Sequence, residues 1–459
     1  MKTTPQGSPA ATQLPKPLTG PLFAFASAHR RHLVTFAVAG LFLACVFRYW
    51  MNFDPNDKVA RHGAEMGRVA ISLHEKGEFS DPYGTLKTGP TAHLNPVFPL
   101  LLAAMMGLFG TQAAGIFAIK VMAVVVVGLQ VALFPLVSGR LGMGALNGFI
   151  AACIWIVAKP LLMYAWESSY AALLLVIITV VFRRYSNPDV RSVGPAWLLG
   201  ALVGLLILLL PTIALVLAVW LAWDVLHRDW RFIRARIVPL VILPALMISP
   251  WLIRNYLVFH RLFLRDNFGL ELGSANNDCA QFSVQLNTES FCNIHPNEKL
   301  AEAQKLLAVG GEPQYNDMRQ REAIKWIASH PVRFMQLTGM RVVAFWFPTE
   351  TWTRHHYPGF GRRKERAVMY LMSLLSVAGV FILYRRDRVS CGLCIVCLIL
   401  FPLPYYITQF VYYHSYPVLW MIFLLGALPI TTLLNRSFPA SLRFAASKVA
   451  DDSARVCKP

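Results

Sequence analysis

Apolar runs about one bilayer long alternate with short polar segments along almost the whole chain. Runs from about Leu33 to Trp50, Ala113 to Val137, Ala145 to Leu162 and a further one ending at Arg183-Arg184 approach the ~20 residues that cross a hydrocarbon core. The run from Pro195 to Leu226 is too long for one helix and breaks at Pro211-Thr212, which predicts two spans. Further spans are expected at about Ile237 to Trp251, Ala367 to Tyr384, Ser390 to Tyr406 and Val418 to Leu434. The pattern therefore predicts about ten crossings.

Three apolar stretches depart from it. Val59 to Lys76 carries Val59, Met66, Val69, Ala70 and Leu73 at helical spacing, the mark of an amphipathic helix lying along an interface. Leu94 to Phe109 is short and opens on Pro96 and Pro99, so it reads as interfacial or re-entrant. Met335 to Phe347, interrupted by Arg341, is also short for a span. Between the seventh span and this stretch lies a polar segment of about eighty residues, long enough to need structure of its own. Within it Glu298 to Leu307 and Tyr315 to Ser329 read as helices, the second closed by His330-Pro331.

Composition agrees with the pattern. Of 459 residues 56% are hydrophobic and 15% charged, against about a quarter charged in soluble domains, and the mean hydropathy is +0.48. The fold class is an all-α polytopic membrane protein. The net charge of +19 is scattered in clusters beside apolar runs, as the positive-inside rule requires, so nucleic acid is not an expected partner. Arg30-Arg31-His32 places the start of the first span in the cytoplasm, and both termini with it. The expected organisation is a tail over 1–28, a transmembrane module over 29–254 with its first external loop at 51–112, an external loop with helices over 255–334, a second transmembrane module over 335–436, and a tail over 437–459. Cys391, Cys394 and Cys397 sit in an apolar run and read as small polarizable residues of a membrane helix. Cys279 and Cys292 share one polar external loop, where a disulfide contributing about 3 kcal/mol is expected.

The polar stretch from Asn52 to Pro99 is the candidate site, because a membrane protein keeps such a loop only where water, substrate or protein satisfies its polar groups. Its candidate acids are Asp54, Asp57 and Glu65, and its bases include Lys87 and His93. Glu65 also stands at ion-pairing distance along a helix from Arg61 and Arg68, while Asp54 and Asp57 stand where acids cap helix N-termini. No strong metal-ligand spacing is present, so a divalent metal has no support from the sequence.

The order of motifs adds a resemblance. An amphipathic segment after the first span, then Gly89-Pro90-Thr91-Ala92-His93-Leu94-Asn95-Pro96-Val97-Phe98-Pro99, then an apolar helix ending Leu108-Phe109-Gly110, resembles the polyprenyl-phosphate-dependent glycosyltransferases of the GT-C fold. It is most similar to bacterial relatives of the dolichyl-phosphate-mannose protein mannosyltransferases and of the lipid A aminoarabinose transferases. Pro250 to Phe259, Arg265 to Leu272 and Tyr413-His414-Ser415-Tyr416-Pro417 extend the similarity to roughly Arg30 through Leu434. The resemblance implies a bundle of about 10–12 membrane helices with interfacial helices in the first external loop. It further implies transfer of a sugar from a polyprenyl-phosphate donor to an acceptor hydroxyl on protein, lipid or polysaccharide, outside a bacterial cytoplasmic membrane. An acid of the first external loop is the implied base, since a hydroxyl is a weak nucleophile until a carboxylate takes its proton.

The position matching the family's acid falls at His62-Gly63, so the role passes to Glu65, Asp57 or Asp54, in that order, with Glu167 at the end of a later span. Lys87, His93 and Arg254 are expected to meet the donor phosphate, for which an arginine fork is suited. Arg265, Asn267 and Glu271 are expected on the acceptor side, and Tyr413 and His414 where relatives often carry an arginine. Two rivals stay open: a multi-pass transporter or flippase, and a non-catalytic protein of the same fold.

Overall fold

The computed structural model describes residues 30–51, 65–160, 162, 166–186, 193–227, 235–236, 238–348 and 363–437. Among these, six helices are long and apolar enough to cross a membrane: Ala113–Arg140, Ser168–Tyr185, Val238–Phe259, Arg366–Arg386, Arg388–Ile407 and Tyr412–Arg436. Shorter apolar helices are Val34–Trp50, Val97–Phe109, Ala145–Ala158, Gly194–Leu209 and Pro211–Leu226. Val97–Phe109 packs against the amphipathic helix Glu65–Lys76. With that helix set aside, the others match the count of about ten crossings read from hydropathy. The chain is a multi-pass membrane protein.

Local chemistry explains the breaks. Gly194–Leu209 ends two residues before Pro211, a 3-10 turn spans Pro211–Ile213, and Ala214–Leu226 resumes, because a proline ring displaces the preceding residue, Leu210, from helical geometry. Small residues let the long helices approach: a Cβ on Gly379 would stand 2.0 Å from the Leu425 carbonyl oxygen, and one on Gly148 would stand 2.2 Å from that of Phe134. Tyr412–Arg436 is the most enclosed of the six spans. Asn147, fully buried, ties the Ala145–Ala158 helix to it, donating to Leu424 O at 3.0 Å and accepting from Thr431 Oγ1 at 3.0 Å.

The polar segment folds into Phe268–Ala275, Val284–Glu289, Leu300–Ala308 and Glu312–Ser329, followed by Pro331–Trp346. The last two begin earlier than the apolar pattern predicts. Gly310 and Gly311, at φ +102° and +108°, turn the chain, and Pro313 sits in the first turn of Glu312–Ser329, where its missing N–H costs nothing. Leu270, Leu306 and Tyr315 form a small core that also takes Tyr83 from the first loop. Beside it Arg319 pairs with Glu302 and Glu322.

Arg341 fastens this segment to the bundle. Its guanidinium is fully buried and donates to the carbonyls of Ala275 and Ile407 and to Asn276 Oδ1. Ala275 and Ile407 are the last residues of Phe268–Ala275 and Leu403–Ile407, so one cation serves the negative ends of two helices. Arg341→Met should remove these bonds and strand the carbonyls, lowering stability by at least about 3 kcal/mol. The thermal midpoint of the purified protein in detergent measures this.

Candidate active site

The first loop is held by residues far away in sequence. Phe79 and Thr91 face each other across an antiparallel contact, Thr91 N donating to Phe79 O at 3.1 Å. The next carbonyls in line all find distant donors: Thr91 O takes Arg254 Nη1 at 2.8 Å, Ala92 O takes Asp266 N at 2.8 Å, and His93 O takes Arg265 Nε at 2.7 Å. Glu312 completes the clasp, accepting from Thr91 Oγ1 at 2.6 Å and from Ala92 N at 2.8 Å. Burial pushes the Glu312 carboxyl up to about 7, against the opposing pull of His93 and of these donors.

Within that frame Glu65 opens its helix from a buried position and meets two imidazoles. His93 Nε2 lies 3.4 Å from Glu65 Oε2, and His295 Nε2, from the polar segment, lies 3.4 Å from Glu65 Oε1. Burial acts to raise the Glu65 carboxyl; the two imidazoles, His93 foremost, outweigh it and hold it down at about 2. Burial likewise acts against the charge on His93, but Glu65 prevails and keeps that imidazole above its ordinary range. His295 is pushed below its own by burial. Its Nδ1 accepts the Asn297 N–H at 3.1 Å, so the neutral ring carries its proton on Nε2, toward Glu65.

The three groups also form a donor set, with ligand atoms all within 4.8 Å of one another. Two imidazoles and a carboxylate suit zinc-like divalent ions and leave a fourth position open. Ligation through His295 Nε2 requires its proton to move to Nδ1 and the Asn297 bond to give way.

Glu167 lies just before the Ser168–Tyr185 helix and is 3% exposed, with Oε2 lacking a hydrogen bond among the described residues. Burial lifts its carboxyl to about 7; Arg265 opposes this and Glu65 adds to it. Tyr413 lies within electrostatic reach of Glu65, Glu167, Glu271 and Arg265 together, and its ring packs on Trp166 at 4.8 Å. His414 stacks on Tyr405 at 4.4 Å and feels Arg265. Arg265, anchored through Nε alone, leaves both Nη nitrogens without a hydrogen bond among the described residues.

The residues picked out in the sequence thus separate into groups. Glu65, His93, Glu167, Arg265, Glu271, Tyr413 and His414 gather in one cluster, and Asn267 borders it, donating to Glu271 at 3.4 Å. Arg254 donates to the carbonyls of Thr91 and Phe79 and to Asn255 Oδ1, which holds the loop. Lys87 is exposed on the loop, and Asp54 and Asp57 lie outside the described residues. Cys279 and Cys292 are joined, with Cα atoms 5.4 Å apart. His295 and Glu312 were not foreseen: neither stands at a recognisable spacing from Glu65, and the only hint was that the polar segment is long enough to fold.

No family model matches the chain, and no curated protein matches it by sequence. Solved structures do. The Archaeoglobus fulgidus oligosaccharyltransferase tethered with an acceptor peptide is similar at TM-score 0.52 and 14% identity, over 94% of this chain and 55% of that one. ArnT from Cupriavidus metallidurans bound to undecaprenyl phosphate gives TM-score 0.35 and 15% identity, over 88% and 79%. The chain spans about half the length, 52% to 56%, of the oligosaccharyltransferase structures it matches. The likeness shows the fold, a GT-C-like membrane bundle.

Because Glu312 carries two donors of the loop, Glu312→Ala should leave the Ala92 N–H and the Thr91 hydroxyl unpaired. Stability is expected to fall by about 2 kcal/mol or more, with faster amide exchange concentrated over residues 79–95.

Proposed function

We propose that the chain is a glycosyltransferase that moves a sugar from a polyprenyl-phosphate-linked donor to an acceptor hydroxyl. One observation carries the reading: Arg265, Glu167 and Glu65 lie within electrostatic reach of one another and of Tyr413, where the membrane helices give way to the polar segment. A donor of this class needs that placement, since its tail stays in lipid while its phosphosugar reaches charged groups. The GT-C-like fold supports the same reading.

The two carboxyls suit different tasks. Glu65, held near 2 between imidazoles, is a poor proton acceptor and a good fixed anion. Glu167, near 7 and with a free oxygen, is matched to general-base work at neutral pH. In the proposed reaction the acceptor hydroxyl passes its proton to Glu167 as its oxygen bonds to the anomeric carbon. The bond from that carbon to the phosphate oxygen breaks, polyprenyl phosphate leaves with the electron pair, and the anomeric centre inverts. The free Nη fork of Arg265 meets the leaving phosphate, where a bidentate cation is worth most. A divalent cation held by Glu65, His93 and His295 would supply further positive charge beside that phosphate. In this reading the acceptor is a hydroxyl of protein, lipid or polysaccharide and the site faces away from the cytoplasm of a bacterial inner membrane, an orientation that the basic residues before the first span support.

Transfer by the purified protein, assayed with a panel of polyprenyl-phosphate sugars in detergent, tests this. Because Glu167 must be ionised to act, the rate should rise with pH through about 7 and level off above it. Glu167→Gln should lower turnover by about 10²–10⁴-fold and abolish that pH limb. Arg265→Lys should lose about ten-fold or more by giving up the fork. An unchanged rate in Glu167→Gln would remove Glu167 as base, and no transfer from any donor in the panel would sink the proposal.

A further inference from the structure

Glu65 and His93 receive their third partner from a segment without helical structure, residues 291–299. We infer that the Cys279–Cys292 disulfide is the positioning element of this segment, holding His295 on Glu65 so that the site takes up a divalent cation only after the disulfide has formed. The inference rests on the reading of Glu65, His93 and His295 as cation ligands.

His295 lies three residues beyond Cys292, and Asn287 takes two backbone bonds from the stretch between them. Cys292 N and Asn293 N both donate to Asn287 O, at 2.8 and 3.1 Å, and His295 N donates to Asn293 Oδ1 at 3.1 Å. Asn287 is fully buried and is held through its own Oδ1 by Gln281 N at 2.6 Å. The disulfide closes the same turn covalently, across 13 positions. Just before Cys292 the chain bends sharply: Phe291 has φ +56° and a side chain 82% exposed. A non-glycine residue adopts that conformation at a cost in strain and gains no burial here, so the bend must be held by its neighbours.

Beyond His295 the segment docks on the first loop. Thr85 Oγ1 donates to Pro296 O at 2.6 Å, and Asn297 Oδ1 accepts from Arg68 Nη1 at 2.7 Å and from Gly84 N at 3.1 Å. His295 is therefore strung between a covalent anchor and a hydrogen-bonded one. Only the covalent anchor depends on redox state. With the sulfurs separated, the upstream end is left with hydrogen bonds only: those to Asn287, Asn293 Nδ2 to Thr288 Oγ1 at 3.2 Å and Lys299 Nζ to Phe291 O at 2.8 Å.

Forming the disulfide removes two protons and two electrons from the two thiols, and these pass to an oxidant of the disulfide-exchange class. Exchange begins at Cys279, which is exposed, whereas Cys292 is buried. A dithiol reductant reverses the step. The cation site would thus be completed by oxidation, on the side of the membrane where disulfides persist.

Binding of Co²⁺ to the full-length protein in detergent, followed by its visible absorption, tests the inference without recourse to turnover. The samples are the oxidised protein, the same protein reduced with dithiothreitol, alkylated and freed of reductant, Cys279→Ser/Cys292→Ser, His295→Ala and the triple variant. The oxidised protein should bind, and the reduced protein and the cysteine variant should each bind at least ten-fold more weakly. The triple variant should bind no more weakly than His295→Ala, because the disulfide acts through that one ligand. Co²⁺ binding by the reduced and cysteine-variant proteins equal to that of the oxidised protein overturns the inference and leaves the cation reading standing. Additive losses in the triple variant overturn it too, since they mark general stabilisation. Absence of Co²⁺ binding by the oxidised protein overturns the cation reading itself, and this inference with it.

Discussion

The carbonyls of Thr91, Ala92 and His93 point into the protein at a depth where water does not replace a missing donor, and each is met by a group from the segment 254–266. Left unpaired, each buried acceptor would cost about 1–3 kcal/mol. The first loop therefore has no settled conformation apart from the polar segment that follows the seventh span. His93 is fixed in place by the same bonds that satisfy its backbone, and Glu65 takes its bearing from His93. Arg265 does double service: its Nε closes the clasp, and its charge reaches Glu167. A defect in the clasp and a defect in the site are, in this architecture, the same event.

The electrostatics follow from burial and neighbours. Glu65 and Glu167 are both nearly sealed from solvent, yet the first is held near 2 and the second near 7. The difference is the company each keeps. Glu65 faces two imidazoles at 3.4 Å, whereas burial dominates at Glu167, opposed by the field of Arg265 and a backbone hydrogen bond. Separating two carboxyls in this manner lets one remain an anion while the other exchanges a proton.

Much of the fold could be read from the chain, because the apolar period and the helix-breaking prolines act locally. Pro211 interrupts its helix where the sequence says it must, and Asn52 to Pro99 stood out because so polar a stretch is costly in an apolar chain. Partnership across the fold was not legible. The bonds from Arg254 to the carbonyls of Thr91 and Phe79 have no local signature, because a guanidinium serves phosphates and backbone carbonyls alike. His295 sits in a Pro-Asn turn 230 positions from Glu65, and only the folded polar segment brings it there. Glu65 was singled out as a base by its place in the amphipathic helix; the imidazoles that depress its basicity come from elsewhere.

The clasp also sets an order of events during synthesis. Thr91 and Ala92 wait for Glu312, 221 and 220 positions downstream. At 5–20 residues per second a ribosome needs about 10 to 45 s to cover that distance. Throughout that interval the loop has been synthesised but lacks Glu312, which completes the clasp. The first loop is therefore among the last parts to settle, and a nascent chain halted before Glu312 would carry an open first loop on a bundle still lacking Arg366–Arg386, Arg388–Ile407 and Tyr412–Arg436.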